Sequence, residues 1–218
     1  MAHLPHLFLP GPWDEKGIRL NPEHESHLSK VLRRSPGSAV SYTDGAGRLG
    51  TGILEPGLVV RGREEIVERP FPTLCIAVAP PRSRDRVRFI VEKLAELGVD
   101  ELCWISARFG QGDPPGLPKA RAWAIAALEQ SRGAWLMEVS GPMALDELTG
   151  MLVVTDLTGS GAIPPGELRY TVVVGPEGGF DEAEVPLDAV RIRLANRVLR
   201  TETAAIVGAS AVLKELDR

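Results

Sequence analysis

The sequence predicts a two-part chain: a small β-rich unit over residues 1–69, then an α/β domain with a mostly parallel sheet over residues 73–218. Three observations carry this. Before residue 69, short apolar segments alternate with glycine turns around a single helix start. At Arg69-Pro70-Phe71-Pro72, two prolines prevent regular pairing and mark a boundary. After residue 73, strand-like apolar runs alternate with segments of helical period.

In the first unit, residues 6–9 and 17–20 are short strand candidates. Asn21-Pro22-Glu23 is a helix start, with Asn as N-cap, proline at the first helical position and an acid in the first turn. His27, Leu28, Val31 and Leu32 give that helix one apolar face to about residue 34, and Pro36-Gly37 stops it. Residues 39–43 and 48–54 flank Asp44-Gly45-Ala46-Gly47, the pattern of a hairpin with a glycine turn. Residues 58–61 and 65–68 supply two further strands. Several short strands with one helix predict a small β-barrel. Such barrels often bind RNA, which is fold-level analogy only.

In the second unit, residues 74–79 read as a buried strand. Val87, Ile90, Val91, Leu94 and Leu97 recur at helical spacing, and Gly98 closes that helix. Residues 101–106 form the next strand, residues 111–118 a loop rich in proline and glycine, and residues 119–132 a helix ended by Gly133. Residues 135–139, 152–156 and 170–174 are further strands. Val190, Ile192 and Leu194 alternate with Arg191 and Arg193, which marks a half-exposed strand. Residues 202–216 form the last helix, with Ile206, Ala209, Leu213 and Leu216 on one face. Ligands of such sheets bind at the carboxyl ends of strands. Residues 175–179 and 196–201 fall at such ends.

Composition bounds the chemistry. Apolar residues make up 44% and charged residues 25%, the balance of a globular rather than a disordered chain. No apolar run approaches the roughly 20 residues that span a bilayer, and the first residues lack the basic-then-apolar pattern of a secretory signal. The expected location is cytoplasmic, with no membrane partner. Cys75 and Cys103 lie inside apolar runs and are expected to be buried and reduced. Without a CxxC, an HExxH or a Cys/His cluster, no metal site is expected. All four histidines precede residue 28, so no Ser-His-Asp or Cys-His centre can be built within the second unit. A net charge of −4 does not advertise nucleic-acid binding. Arginine is clustered, however, at positions 82, 84, 86 and 88 and again at 191, 193, 197 and 200. A planar guanidinium suits phosphate, although solvated faces explain such clusters slightly better on composition alone.

Two dense stretches carry the chemistry. In Gly175-Pro176-Glu177-Gly178-Gly179, the glycines allow a tight turn and close approach of backbone N–H groups to an anion or an adenine edge. No Gly-Lys-Ser/Thr follows, so it is not a phosphate loop, and the dinucleotide spacing is absent. Alone, it is equally a structural turn. Arg197, Arg200, Thr201, Glu202 and Thr203 lie between a strand and a helix, where polar groups can face a cleft. Capping by Thr201 with Glu202 in the first turn is the plain structural alternative. Asp156 ends a third strand.

Taken in order, four motifs resemble one family: Glu96-Leu97-Gly98-Val99; Glu129-Gln130-Ser131-Arg132; residues 175–180 with Glu184 just after; and residues 194–204. That family is the RsmE-type 16S ribosomal RNA uridine N3-methyltransferases of the SPOUT superfamily. The segment from His27-Leu28 to Val31-Leu32-Arg33 joins the pattern, so the resemblance spans nearly the whole chain. It implies a PUA-like N-terminal barrel and a C-terminal α/β domain with a trefoil knot. It implies S-adenosylmethionine as methyl donor, 16S rRNA in the small ribosomal subunit as substrate, and a homodimer. Cofactor contacts are implied at Leu157, Gly175, Glu177, Gly178, Leu194, Asn196, Val198, Leu199 and Thr203. The small residues Ala204, Ala205, Gly208 and Ala209 are expected to pack against a second copy. Two positions depart from the family: Ala195 stands where it has glycine, and Pro81-Arg82-Ser83 replaces a stretch carrying lysine.

The implied reaction requires removal of the weakly acidic uracil N3 proton and stabilisation of the resulting oxyanion. Without histidine in the domain, the base is a carboxylate or bulk water. Glu202 and Glu177 are the candidates, with Arg200 as the electrostatic partner. RNA contacts are expected at Arg33, Arg34, Arg48, Arg82, Arg84 and Arg197. Two alternatives stay open: a SPOUT methyltransferase acting on another base or a ribose, and a non-catalytic RNA-binding assembly factor.

Overall fold

The structure, a computed structural model, describes residues 4–15, 17–26, 28 and 35–218. The chain divides into two compact units: Met1–Arg69 with Leu128–Leu136, and Pro70–Ala127 with Met137–Arg218.

The first unit is built on a five-stranded sheet of order β1-β3-β4-β5-β2, with β1 His6–Phe8, β2 Ile18–Arg19, β3 Ala39–Thr43, β4 Arg48–Glu55 and β5 Leu58–Ile66. β1 runs parallel to β3 and the remaining pairs are antiparallel, the small barrel-like unit expected. The β3–β4 turn is set by Asp44, whose Oδ1 accepts the N–H of Ala46 at 2.8 Å and of Arg48 at 3.0 Å. Helix α1, Pro22–Ser26, is capped by Asn21, whose Oδ1 accepts the His24 N–H at 2.7 Å. The rest of the expected helix face, including His27, Val31 and Leu32, lies outside the described residues. Leu7, Leu9, Ile18, Leu28, Val40, Tyr42, Leu54 and Val59 form the core of this unit.

Two expectations fail here for physical reasons. The strands read at 58–61 and 65–68 are one strand, β5. Gly62 is not a break: a Cβ there would lie 2.7 Å from the Thr51 carbonyl oxygen, so glycine marks close backbone approach within the sheet. The strand expected at 135–139 starts later, as β8 Glu138–Met143. Residues 134–136 instead close on the β3–β4 turn: Gly47 N–H donates to Ala134 O, and Leu136 N–H to Gly45 O. The Trp135 indole N–H reaches Val67 O at 3.2 Å.

The second unit holds a six-stranded sheet of order β11-β9-β10-β6-β7-β8, parallel throughout. Its strands are β6 Thr73–Val78, β7 Glu101–Ile105, β8, β9 Met151–Thr155, β10 Arg169–Val174 and β11 Val190–Ile192. Helices α2 Arg84–Glu96, α3 Leu117–Ser131 and α4 Thr201–Glu215 complete the order. β6 and β10 are buried almost throughout, hence their unbroken apolar runs. One face of the sheet packs Cys75, Ala77, Cys103, Ile105, Val154 and Val173 with Leu145 and Val185. From β10 the chain steps across β9 to add β11 at the sheet edge, and α4 then returns to β10, β6 and α2. This out-and-back path at the carboxyl ends of the strands is where the expected trefoil knot falls.

α4 corrects one reading. Its buried stripe is Thr201, Glu202, Ala204, Ala205, Gly208, Ala209, Val212 and Leu213, with Ile206 and Leu216 only half-buried. The small residues Ala204, Ala205, Gly208 and Ala209 are buried within the chain. Gly208 lies so close to β10 that a Cβ would sit 3.2 Å from Val172 Cγ1. At the far end, Arg218 Nη1 donates to Asp100 Oδ2 at 2.8 Å and to Pro72 O at 2.8 Å. Asp100 Oδ2 also accepts the Leu74 N–H, so this buried ion pair pins the start of β6.

Candidate active site

The carboxyl ends of β9, β10 and β11 open onto a cleft of about 470 Å³. Three loops build it: residues 156–161 after β9, 175–185 after β10 and 194–199 before α4. All three follow parallel strands, so their backbones converge at one end of the sheet.

The first loop is fixed by Asp156. Its carboxylate accepts Thr158 N–H at 2.7 Å, Thr158 Oγ1–H at 2.8 Å and Arg191 Nη1–H at 3.0 Å. The two bonds from Thr158, then Arg191, hold this carboxyl below the usual carboxylate range. Arg191 also pairs with Glu182 at 2.9 Å, so one guanidinium ties the β9 loop to the β10 loop. Gly159 lies against β11, where a Cβ would come within 2.6 Å of the Ile192 carbonyl carbon. In the second loop, the ring of Phe180 packs over Gly175, with room for a Cβ only at 3.0 Å. The Thr201 hydroxyl donates to Gly175 O at 3.3 Å, joining that loop to the start of α4.

Beside the cleft, Arg86 of α2 faces two carboxylates. Its Nη1 lies 3.7 Å from Glu177 Oε1 and its Nε 3.4 Å from Glu202 Oε1. Glu202 is buried, and among the described residues its Oε2 has no hydrogen-bond partner. A buried carboxylate oxygen without a donor is costly to keep and is an expected feature of a reactive position.

Of the cofactor contacts implied by sequence, Leu157, Gly175, Glu177, Gly178, Leu194, Val198 and Leu199 line the cleft, and Arg197 joins them. Asn196 and Thr203 are exposed and do not line it. Arg200 is exposed at the N-cap of α4, and Glu202 reaches the cleft only through Arg86 and Glu177. Arg82 and Arg84 stand exposed at the start of α2. Arg33 and Arg34 lie outside the described residues. Arg48, expected at phosphate, is committed elsewhere: it pairs with Glu64 at 3.4 Å and stacks 5.5 Å from the Trp13 ring centroid.

The sequence named Arg86 and Arg191 only as members of arginine clusters, and gave Thr158 and Gly159 no site role. Arg86 had a usable signal, because it lies one turn before Ile90 and so borders the apolar stripe of α2. Thr158 and Gly159 had none beyond a glycine-rich loop. Among the described residues, no group of three or more His, Cys, Asp or Glu is placed to hold a metal ion. No helix of the described residues is long and apolar enough to cross a membrane.

Comparison with known proteins agrees with this geometry. Residues 67–213 match the family described as an RNA methyltransferase domain. The chain is 33% identical over 217 residues to the ribosomal RNA small subunit methyltransferase E of Mycobacterium bovis, a match covering 85% of this chain and 82% of that protein. The solved structure of a ribosomal RNA small subunit methyltransferase E from Neisseria gonorrhoeae, bound to S-adenosyl methionine, shares the fold. Its TM-score is 0.80 at 24% identity over 98% of both chains. A predicted RNA methyltransferase from Thermotoga maritima gives a TM-score of 0.76 at 30% identity, covering 97% of this chain and 100% of that one.

Proposed function

Because the chain belongs to the RNA methyltransferase domain family and to the ribosomal RNA small subunit methyltransferase E group, we propose that it methylates N3 of a uridine in 16S rRNA, using S-adenosylmethionine. The residues present suit that cofactor. A cleft of about 470 Å³ is of ligand size. Leu157, Leu194, Val198 and Leu199 offer apolar contact to a flat ring, and the glycine turn at 175–179 offers backbone groups to its polar edge. When bound, S-adenosylmethionine supplies an electrophilic methyl group.

The chain's own residues then have three tasks. The loops align the base with the methyl donor, and this positioning carries much of the rate. Glu202 is the acceptor of the N3 proton: Arg86 lies 3.4 Å from its Oε1, its buried Oε2 has no hydrogen-bond partner among the described residues, and the proton reaches it by way of Glu177, which lines the cleft. Arg200, exposed at the α4 N-cap, stabilises the developing oxyanion. Glu177 shares Arg86 with Glu202 and is the alternative base. Arg82, Arg84 and Arg197 meet the RNA. The observation that carries this reading is the Arg86 bridge, which links a cleft wall to a buried carboxylate with one oxygen unpaired. Homodimeric assembly and a cytoplasmic location follow from the same family reading.

Two measurements test it together. Calorimetry with S-adenosylmethionine should show one site per chain. Incubation with labelled cofactor and unmethylated small subunits should put label into 16S rRNA. Cofactor binding without transfer to any RNA would favour the non-catalytic assembly factor.

A further inference from the structure

The loop that follows β7 carries a feature the reaction does not yet use. Phe109 stands 43% exposed on this loop. Its base packs against the cleft. A Cβ on Gly178 would lie 3.1 Å from Phe109 Cβ and 3.8 Å from Cγ, so the residue roots itself against the glycine turn that lines the cleft. Arg108 places its guanidinium 5.6 Å from the ring centroid.

This ring is held in place. Arg108 N–H donates to Glu184 Oε1 at 2.7 Å, and Asp181 N–H donates to the other oxygen of the same carboxylate at 3.0 Å. The Arg108 guanidinium pairs with Asp181. Glu184 therefore bridges the backbones of the β7 and β10 loops, and Arg108 closes the bridge a second time. Further along the loop, Gly112 lies directly on the Pro80–Pro81 backbone. A core-filling phenylalanine would not need this scaffold, since burial alone would place it.

We propose that Phe109, backed by Arg108, is a stacking ledge for a nucleobase of the substrate RNA, set beside the methyl-donor cleft across Gly178. An exposed aromatic ring next to a guanidinium matches a base chemically: the ring takes its π face, and the cation takes carbonyl oxygens or phosphate. A base drawn out of folded RNA loses its stacking partners, and a rigid ring at the cleft edge replaces them. Glu184 is a positioning residue in this arrangement, because it touches the ledge and not the base. The inference rests on the reading of the chain as an RNA methyltransferase.

The test compares Phe109→Leu and Phe109→Trp with the parent chain. Leucine keeps apolar packing against Gly178 and removes the π face. The dissociation constant for unmethylated 16S rRNA, KM for that RNA, and calorimetric affinity for S-adenosylmethionine are measured. Phe109→Leu should weaken RNA binding and raise its KM by about 5- to 100-fold, with cofactor affinity unchanged. Phe109→Trp should restore both RNA values. RNA affinity equal to that of the parent in Phe109→Leu overturns the ledge, as does loss of cofactor affinity with RNA binding retained, which would make Phe109 a structural prop of the glycine turn. If the parent binds RNA but transfers no methyl group, the functional reading fails, and the ratio of RNA dissociation constants still judges the ledge. If the parent binds no RNA, both fail.

Discussion

The guanidinium of Arg86 lies 3.4 Å from the carboxylate of Glu202, one in the first turn of α2 and the other in the first turn of α4. The two helices pack against each other, and the same guanidinium reaches Glu177 in the glycine turn. Three segments far apart in sequence thus share one cation. Replacing Arg86 by alanine leaves a buried carboxylate without its charge partner, at a cost of about 1–3 kcal/mol. Arg86→Ala should lower methyl transfer more than tenfold and reduce the thermal midpoint, with Arg86→Lys recovering part of both. Full activity in Arg86→Ala would separate this bridge from catalysis.

Gly159→Ala tests the β9 loop. Its Cβ would lie 2.6 Å from the Ile192 carbonyl carbon, a backbone atom that cannot rotate aside. The loop carrying Leu157 and Thr158 must then move away from β11. Cofactor affinity should fall by an order of magnitude or more in calorimetry, while RNA binding is retained.

In the first unit, Glu64 accepts two hydrogen bonds from Arg61, at 2.6 and 2.8 Å, and one from the Tyr42 hydroxyl at 2.8 Å. Arg61 chiefly holds its carboxyl at about 2, against an ordinary value of 4.5. The folded value is depressed, so this stabilisation is complete above pH 4.5 and is lost as pH falls from there towards 2. Thermal midpoints measured from pH 6 to pH 3 should fall more steeply for the parent chain than for Glu64→Gln.

Arg218→Ala should destabilise the second unit by about 3 kcal/mol, because Asp100 would be left buried and uncompensated. The Asp100 side chain is only 3% exposed. Denaturant titration followed by the fluorescence of buried Trp104 reads this loss directly. A change under 0.5 kcal/mol would mean that the Leu74 N–H satisfies Asp100 alone.

The alternation of elements was legible because burial leaves a period: β6 and β10 are apolar runs, and α2 repeats every three to four residues. Asn21 and Asp44 were legible because short polar side chains cap turns locally. Gly62 misled because glycine means both a break and a close approach, and only the partner strand decides which. The fate of Trp135 depended on a hairpin turn that lies some ninety residues earlier, beyond the reach of any window of local pattern. The site divided in the same way. The glycine turn and residues 194–199 were visible as dense motifs, and they line the cleft. Arg86 and Arg191 were visible only as members of arginine clusters, and their roles depend on which carboxylates the fold brings opposite.

The most direct test of the central claim is mass-spectrometric identification of the methylated nucleoside after incubation of the parent chain with S-adenosylmethionine and unmethylated small subunits. The account predicts 3-methyluridine at a single position of 16S rRNA, strongly reduced with Glu202→Gln although cofactor affinity is kept. A methyl group on a ribose hydroxyl, on another base, or on no nucleoside at all would contradict it.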